Sequence, residues 1–519
     1  MKKITYILVL LMAIINASAK DDACFNYIRR SITINEDGNV TEKVSKSLTL
    51  YSHLAMNNTY GETFIVYNPQ YQTLKIDKAY TIQKDGTKIM LPANALVPCL
   101  PSFAAKAPDY NHLTEMVVVH TGLEIGCTIY LDYTLTTKFP FGLDMFEPLD
   151  CDEPIKEMTL ELNMPTNYKI DYAVFSPKGE LKPVKTVKGN TTLAKYSMKN
   201  IPLHYKEPLQ VTDITKGWYL AMRYNGERNC PTQSSEAIDK YVTELKGKNL
   251  SDKQVLDEIS NYIKDNFAFS AVPTKYAMFT RDLQRVWQTS YATNIERAKM
   301  LLTILKGYGI NADIYMSYNP TLPQQYRSMV SAKDIYVVTE IEGKKKYYNA
   351  SNGNWSSSQP ALIDNLKGQE FRNTSIGKPI VKNDTNNVEV KAVEGKDFTT
   401  ATLWCNGGGC SAFDVSHALP TKRWSDVQLN AKADITTVYK VKYDKSLLYK
   451  APFGTTINIK NNVGEFTQTV NKGETENTLV VVRKIKLYKD NYTQKEYQSL
   501  REIVNAYKNE STRTLLFVK

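Results

Sequence analysis

Cysteine and histidine are the side chains here that could supply a nucleophile and its general base, and their spacing is uneven. The 519 residues hold 7 cysteines and 5 histidines. No cysteine lies between Cys230 and Cys405, and no histidine lies between His204 and His417. A thiol nucleophile works as the thiolate, and histidine is a common base for generating it. Residues 235–365 therefore contain neither partner of a thiol–imidazole pair.

Two of the cysteines are close enough in sequence to pair with each other. Cys405 and Cys410 enclose Asn-Gly-Gly-Gly, and the glycines allow so short a loop to close. We predict a disulfide between them, although an odd number of cysteines leaves at least one unpaired within the chain. A metal site is not predicted, because two thiols without a nearby histidine do not make a ligand set. No cofactor is predicted.

The N-terminus has the parts of a secretory signal peptide. Two lysines precede an apolar run from Ile4 to Ile15, and Ala17-Ser18-Ala19 follows as a small-residue cleavage site. The run is short for a bilayer span, and no other long apolar run follows it. Cys24 suggests a lipid-modified terminus, but the acidic residues before it do not suit that modification. We predict that residues 1–19 are removed and that the mature chain, without a transmembrane segment, is exported to the periplasm or cell surface.

The charge distribution argues against one class of partner. The formal net charge is +11 at pH 7, and the 65 lysines and arginines are scattered along the chain. Proteins that bind nucleic acids usually gather their basic residues into a patch or stripe. We therefore expect no nucleic-acid partner.

The first part of the mature chain has the pattern of short β-strands. Ser31–Ile34, Thr63–Tyr67 and Cys127–Tyr133 alternate or are β-branched, and glycine-containing turns separate such runs. Regular short strands without helical periodicity predict a β-sandwich domain over residues 20–210.

A helical pattern begins near residue 233. Ser251 is predicted to cap one helix, and Thr293-Asn294-Ile295-Glu296 has the form of a capping box that opens another. Gly307 and Gly309 end the second helix. Strands are predicted after it at residues 311–318, 334–342 and 346–349.

The pattern returns to strands after about residue 370. The stretch Asn383–Asn387 is predicted to be a polar linker. A helix from Gln494 to Tyr507 has an apolar stripe that is typical of core packing. These features predict a C-terminal β-rich domain with one helix over residues 380–519.

The helix that Thr293 opens and the strands after it resemble the core of the transglutaminase-like superfamily. The likeness is carried by Asn294–Leu302 and Gly309–Ala312, and it extends to Tyr67–Leu74 and to the C-terminus. The chain is similar to a secreted branch from Bacteroidota in which a β-sandwich precedes the core. The resemblance implies a multidomain α+β fold, with a transglutaminase-like (papain-like) α+β core at residues 233–370 between the two β-rich domains.

The resemblance also implies three catalytic positions, and this chain carries other residues there. The family's cysteine falls on Asn294, its histidine on Asp334 and its aspartate on Asn349. A carboxamide is not a nucleophile, and a carboxylate does not act as an imidazole at neutral pH. We predict a degenerate triad in which Asn294 is a first-turn residue and Asp334 hydrogen-bonds to Asn349 across two strands.

A binding role without catalysis is the first functional hypothesis. An exported protein of this kind would bind a peptide, a protein or a glycan in the remnant cleft. Trp287 and Tyr291 are candidates to line that cleft, and a place in the core is an equal alternative for both.

Two other functions stay open. One is a hydrolase or protease with a rewired site, which would use Ser290 or Thr293 as nucleophile and Lys299 or Asp334 as base. The other is a structural component of an envelope assembly.

Overall fold

Two compact units make up the described chain. The computed structural model describes residues 21–138, 142–204, 207, 209–210, 214, 217–226, 235–276, 281–365, 367–372, 379–404, 419–429, 431–451 and 456–519. The first unit comprises the described residues of Met1–His204 and Asp213–Arg372, and the second comprises those of Tyr205–Thr212 and Asn373–Lys519.

The first unit begins with β-sheets. Its early strands are β1 Ala23–Ile34, β2 Val40–Leu50, β3 Glu62–Tyr67, β4 Gln72–Ile82, β5 Lys88–Met90, β6 Leu96–Cys99, β7 Thr114–Val119, β8 Thr128–Thr137, β9 Met145–Pro148, β10 Ile155–Pro165, β11 Ile170–Ser176, β12 Gly179–Leu181, β13 Val184–Lys188, β14 Thr191–Ile201 and β15 Tyr219–Tyr224. Eight of them form one sheet in the order β13-β14-β10-β1-β2-β8-β4-β5, in which β1 runs parallel to β10. Smaller sheets have the orders β12-β11-β15-β9 and β3-β7-β6.

The large sheet and the sheet around β11 share an apolar core. Ile32 and Leu160 of the large sheet are buried in the same cluster as Val174 of β11 and Leu220 of β15. Inward-facing residues alternate with more exposed ones along β10, as a strand with one face on a core requires.

Four α-helices and two further sheets complete the described part of this unit. The helices are α1 Glu236–Gly247, α2 Asp252–Asn266, α3 Leu283–Thr289 and α4 Asn294–Tyr308, and the strands are β16 Ala268–Phe269, β17 Tyr291–Ala292, β18 Ala312–Ser317, β19 Asp334–Ile341, β20 Lys344–Asn349, β21 Asn354–Ser356, β22 Leu362–Asn365 and β23 Glu370–Arg372. Six of these strands form an antiparallel sheet in the order β21-β20-β19-β18-β22-β23. Helix α4 packs on β18 and β19, and it ends at Gly309, whose φ of 112° favours glycine.

The second unit is also built mainly from strands. Its elements are β24 Ile380–Val390, β25 Phe398–Thr402, β26 Val427–Gln428, β27 Ala433–Tyr443, β28 Leu448–Lys450, β29 Ile457–Lys460, β30 Gly464–Lys472, β31 Thr478–Leu487, β32 Asn491–Tyr492, α5 Tyr497–Lys508, α6 Glu510–Arg513 and β33 Thr514–Val518. The main sheet has the order β24-β27-β31-β30-β29, and β25-β33-β28 forms a smaller one. Helix α5 buries Tyr497, Leu500, Ile503, Val504 and Tyr507 against this unit's core.

The predicted linker at Asn383–Asn387 is wrong. These residues lie inside β24, which pairs in parallel with β27 along its whole length. Their polar side chains alternate between exposed and half-buried positions, so the strand carries little of the apolar alternation that marks a strand in sequence.

The predicted fold class is also wrong. Strands account for 46% of the described residues and helices for 20%, and an α+β core of the papain-like kind is not evident. The four helices beside the six-stranded sheet belong to the same compact unit as the preceding β-sheets. The protein is a β-rich multidomain fold.

Candidate functional site

The start of α4 is fixed by a capping box. Thr293 is the N-cap residue, and its Oγ1 accepts a hydrogen bond from the Glu296 N–H at 3.5 Å. The Thr293 N–H donates in return to Glu296 Oε2 at 2.9 Å. Asn294 is the first helical residue, and its Oδ1 accepts from the Ile295 N–H at 2.7 Å. The carboxamide therefore satisfies a free donor of the first turn, as polar residues at helix starts commonly do.

Asp334 opens β19, and serine side chains are its neighbours. Its backbone N–H donates to Ser317 Oγ at 3.0 Å. Ser351 Oγ contacts Asp334 Oδ1 at 3.5 Å, the long limit for a hydrogen bond. The carboxylate is half-buried and has a weak local bond, so it retains capacity to accept further donors.

Asn349 ends β20 and builds the turn after it. It lies opposite Tyr336 in the register of β19 and β20, and its Nδ2 donates to the Tyr336 hydroxyl at 3.3 Å. Its Oδ1 accepts from the N–H groups of Ser351 at 2.8 Å and Asn352 at 3.3 Å. Its side chain therefore bonds to Tyr336 and the turn, whereas Asp334 is contacted by Ser351. The direct bond that we predicted between Asp334 and Asn349 is not among the hydrogen bonds of the described residues.

The two aromatic candidates lie among core side chains. Trp287 is half-buried, and its ring centroid is 5.2 Å from that of Phe267 and 5.6 Å from that of Tyr262. Tyr291 is 5% exposed, and its hydroxyl accepts the Asp109 N–H at 2.8 Å. Tyr291 therefore presents little surface to a ligand.

A buried ion pair behind the capping box was not apparent in the sequence. The carboxylate of Glu296 is fully buried, and Arg281 donates to it from Nε at 3.0 Å and from Nη2 at 2.9 Å. Arg281 also donates to Asp109 Oδ2 at 2.9 Å, and its guanidinium carbon lies 4.0 Å from the centroid of the Tyr291 ring. Arg281 thus joins the start of α4 to Asp109, an acid that lies 172 positions before Arg281 in the chain.

The charges in this cluster stabilise both acids in their ionised forms. Burial alone would raise the pKa of Glu296, but the hydrogen bonds and charge of Arg281 outweigh it and lower that pKa. Hydrogen bonds from Arg285 contribute most to lowering the pKa of Asp109 to about 2, and Arg281 adds to them against a smaller effect of burial. Both acids therefore carry their charge at neutral pH, where they hold Arg281 in place.

The β-rich part of the first unit reaches this cluster through a short 3₁₀ turn at Pro108–Tyr110. The Tyr110 hydroxyl donates to Glu296 Oε1 at 3.2 Å. Tyr110 and Leu113 are buried in one apolar cluster with Val272 and Tyr291. The segment before β7 is therefore fastened to the helix start by an apolar contact as well as by charge.

Ser290 and Thr293, the two candidate nucleophiles of a rewired hydrolase site, have different surroundings. Thr293 is 1% exposed, and its oxygen is occupied by the cap. Ser290 is exposed and lies at the C-terminal end of α3 with a left-handed φ of 55°. Of these two hydroxyls, Ser290 is the one that a substrate could reach.

The described ranges provide neither a metal-ligand cluster nor a membrane-spanning helix. They contain no cluster of three or more His, Cys, Asp or Glu residues arranged to hold a metal ion. None of their helices combines the length and apolarity needed to cross a bilayer. Cys24, Cys99, Cys127 and Cys151 are free thiols, and the predicted pair Cys405 and Cys410 lies outside the described residues.

Two family models match parts of this chain. DUF3857, described as a domain of unknown function with a solved structure, matches residues 36–205. DUF3858, described in the same way, matches residues 411–517. The two matches lie on either side of the helices and the six-stranded sheet. No curated protein matches the chain.

A solved structure from Parabacteroides distasonis, described as that of a "putative protease", is similar over nearly the whole chain. It is 29% identical, the likeness covers 96% of this chain and 99% of that one, and the TM-score is 0.80. An M1 zinc metallopeptidase from Deinococcus radiodurans is 8% identical over 44% of this chain and 53% of that one, with a TM-score of 0.20. So low a score carries no argument about fold or function. The chain is thus similar throughout to a protein from Bacteroidota.

Proposed function

We propose that this chain is an exported protein that binds a peptide, a protein or a glycan in the cell envelope and does not catalyse its conversion. The observation that carries the proposal is the chemistry at the three positions to which the resemblance assigns a triad, one in the first turn of α4 and two at the paired ends of β19 and β20. Two amides and a carboxylate stand there, and both amides, Asn294 and Asn349, are engaged in helix and turn capping. Such groups recognise polar ligands by hydrogen bonding but do not supply a nucleophile.

Asn294 and Asp334 are the residues of this region best suited to a test. Both are half-buried, and their side chains make few bonds: Asn294 accepts one backbone N–H, and Asp334 has a long contact with Ser351 Oγ. Asn349 is less suitable, because its side chain holds two backbone N–H groups of that turn.

The experiment is affinity capture from the native envelope with the mature protein as bait. A double variant, Asn294→Arg with Asp334→Arg, should recover much less of the partner than the wild type recovers. Glu340→Arg is the matched control, because Glu340 is an exposed acid near the other end of β19. Equal recovery by the double variant and the control would refute binding at this region.

A second candidate is peptide hydrolysis, and the likeness to the Parabacteroides protein favours it. Ser290 would be its nucleophile, since that hydroxyl is exposed. Turnover of a peptide substrate that disappears in Ser290→Ala would support hydrolysis over the first proposal.

A further inference from the structure

Five side chains form a row across the large eight-stranded sheet. They lie directly opposite one another on neighbouring strands: Tyr27 in β1, Ser47 in β2, Tyr130 in β8, Tyr80 in β4 and Met90 in β5. Side chains that are paired in this way point to the same face of an antiparallel sheet. We call this set the tyrosine row.

The tyrosine row lies on the face of the sheet that is turned away from the apolar core. Leu48 and Ile129 are buried in the core cluster of this sheet. They are the strand neighbours of Ser47 and Tyr130, and successive side chains of a strand point to opposite faces. The three tyrosines are half-buried and Met90 is 58% exposed, so solvent reaches the row.

Two cations lie over rings of the tyrosine row. The Arg29 guanidinium carbon is 4.2 Å from the centroid of the Tyr27 ring, and Lys88 Nζ is 4.0 Å from that of the Tyr80 ring. Tyr80 also stacks on Tyr130, with ring centroids 4.8 Å apart. Both cations are exposed, and neither forms an ion pair in the part of the chain that the structure describes. Their positive charges are therefore available to an anion.

Hydrogen-bonding groups are also part of this surface. The hydroxyls of the three tyrosines have no hydrogen-bond partner among the described residues, so each can donate to a ligand and accept from it. Thr49 and Thr128 pair on one side of the row. Ser45 and Asp132 pair on its other side, where their side chains bond at 2.5 Å. The surface thus combines apolar rings with polar groups on both sides.

The strands that carry the tyrosines are interior strands of the sheet. In the order β10-β1-β2-β8-β4-β5, each of β1, β8 and β4 has a neighbour on both sides. A sheet binds an extended peptide through main-chain hydrogen bonds at a free edge, and the row lies away from such an edge. A ligand of this face is therefore recognised by side chains.

An acidic glycan has the chemistry that these side chains complement. Its sugar rings present C–H surfaces to the tyrosines and hydroxyls to the polar groups, and its acid groups pair with the two cations. Tyr27 and Tyr80 are separated by three strand spacings, or roughly 14 Å. That span is longer than one sugar ring, so the surface suits a chain of several sugar units.

We propose that the tyrosine row, together with Arg29 and Lys88, binds an acidic glycan that lies across the strands of the large sheet. The two cations select an acidic glycan over a neutral one. This surface goes beyond the proposed function, because it includes none of the residues at the start of α4 or at the ends of β19 and β20.

Calorimetric titration of the mature protein with hexagalacturonate and with its methyl ester tests the surface. The two ligands share their sugar rings and differ in charge. The acid should bind roughly tenfold or more tightly than the ester, as the loss of charge-assisted bonds implies, and the difference should shrink as salt is added. Equal titration curves for the two ligands would overturn the proposal.

Two further ligands separate a glycan from other acidic partners. They are pentaglutamate and vesicles of phosphatidylglycerol with phosphatidylcholine, which present carboxylates on a peptide and phosphates on a membrane surface. Both should bind less tightly than hexagalacturonate, because neither combines its charges with sugar rings and hydroxyls. Tighter binding of either one would assign the row to an acidic peptide or to a membrane and overturn the glycan.

Charge variants assign the binding to the two cations. Arg29→Gln combined with Lys88→Gln should lower the affinity for hexagalacturonate roughly tenfold or more and abolish the preference for the acid. Lys246→Gln combined with Lys306→Gln is the matched control, because it removes two exposed charges from α1 and α4 and should leave binding unchanged. Equal affinities of the two double variants would overturn the role of Arg29 and Lys88.

A tyrosine variant tests the row itself. Tyr27→Thr combined with Tyr130→Thr removes two rings and keeps hydroxyl-bearing residues that favour strands. It should weaken the binding of the acid and of the ester, because both ligands use the apolar surface. If this variant does not fold, the charge variants decide, since their positions are exposed. Wild-type binding by a folded tyrosine variant would overturn the proposal.

One further variant separates this surface from the proposed function. Asn294→Arg with Asp334→Arg should bind hexagalacturonate as the wild type does, whether or not it captures the envelope partner. Loss of hexagalacturonate binding in this variant would place the glycan at the start of α4 and overturn its assignment to the sheet. Unchanged partner capture would refute the proposed function and leave the glycan surface standing.

Discussion

Arg281 donates to both carboxylate oxygens of Glu296, and Glu296 in turn bonds the backbone N–H of Thr293 in front of α4. The carboxylate is fully buried, and the side chain of Arg281 is 10% exposed. One buried ion pair therefore sets the position of the helix start, and the neighbouring Asn294 depends on it for its place.

Removing Arg281 should be strongly destabilising. Arg281→Met leaves the Glu296 carboxylate buried without its cation, a change that typically costs about 3–5 kcal/mol. The free energy of unfolding in urea measures the loss. Arg285→Met is the matched control, because the Arg285 side chain is 51% exposed in its pair with Asp109, where solvent weakens the ion pair, and its loss should cost much less than that of Arg281. Similar losses for both variants would mean that the ion pair with Glu296 is not what fixes the helix.

Glu153 should make the stability fall as the pH rises. The residue is 5% exposed and accepts the Ala23 N–H at 3.2 Å. Burial raises its pKa to about 7, the Ala23 N–H opposes that rise, and nearby aspartates add to it. The folded state therefore keeps a proton that the unfolded state loses near its reference pKa of about 4.3, and stability falls between that value and about 7.

Glu153→Gln removes this titration and retains a carbonyl acceptor for Ala23. Relative to the wild type, the variant should gain on the order of 2 kcal/mol between pH 4 and pH 8, because screening by solvent reduces the roughly 3.5 kcal/mol that the full pKa difference would give. Urea unfolding of both proteins across that range is the measurement. A difference that stays constant with pH would show that Glu153 does not titrate in this window.

Cys405 and Cys410 should be disulfide-bonded in the exported protein. The short glycine loop between them allows closure, and an oxidising compartment allows the bond to persist. Alkylation under denaturing, non-reducing conditions followed by mass spectrometry tests this. Cys24, Cys99, Cys127 and Cys151 serve as internal controls that should all be modified, since they are free thiols. Full modification of Cys405 and Cys410 as well would contradict the prediction.

No peptide hydrolysis or transamidation above a buffer blank is expected from the purified mature protein. Thr293 is a buried cap, and the sequence from residue 205 to residue 416 contains no histidine that could activate Ser290. A covalent probe directed at serine and threonine should leave both residues unlabelled. Labelling of Ser290 that is lost in Ser290→Ala would support the hydrolase candidate instead.

Local signals in the sequence identify much of the region around α4. Residues within a few positions of one another determine each of three features: the capping box of Thr293 and Glu296, the end of α4 at Gly309 and the beginning of β19 at Asp334. Short-range patterns of this kind are the ones that a single sequence can carry.

Long-range partners could not be predicted in the same way. Glu296 was recognised as a capping residue, but Arg281 is 15 positions from it and Asp109 is 172 positions from Arg281. Their pairing depends on how the β-rich part packs against the helices. The predicted fold class was wrong for a related reason. The sequence marks helix α4 clearly, but a clear helix does not show how much of the remaining chain forms strands.

Hydrogen–deuterium exchange of the mature protein with and without its captured partner tests the central claim most directly. If the region binds the partner, amide exchange should slow in peptides that cover Tyr291–Lys299, Asp334–Tyr336 and Tyr347–Asn352, and peptides around the control position Glu340 should change less. Protection confined to other segments, with these peptides exchanging as in the free protein, would contradict binding at the start of α4.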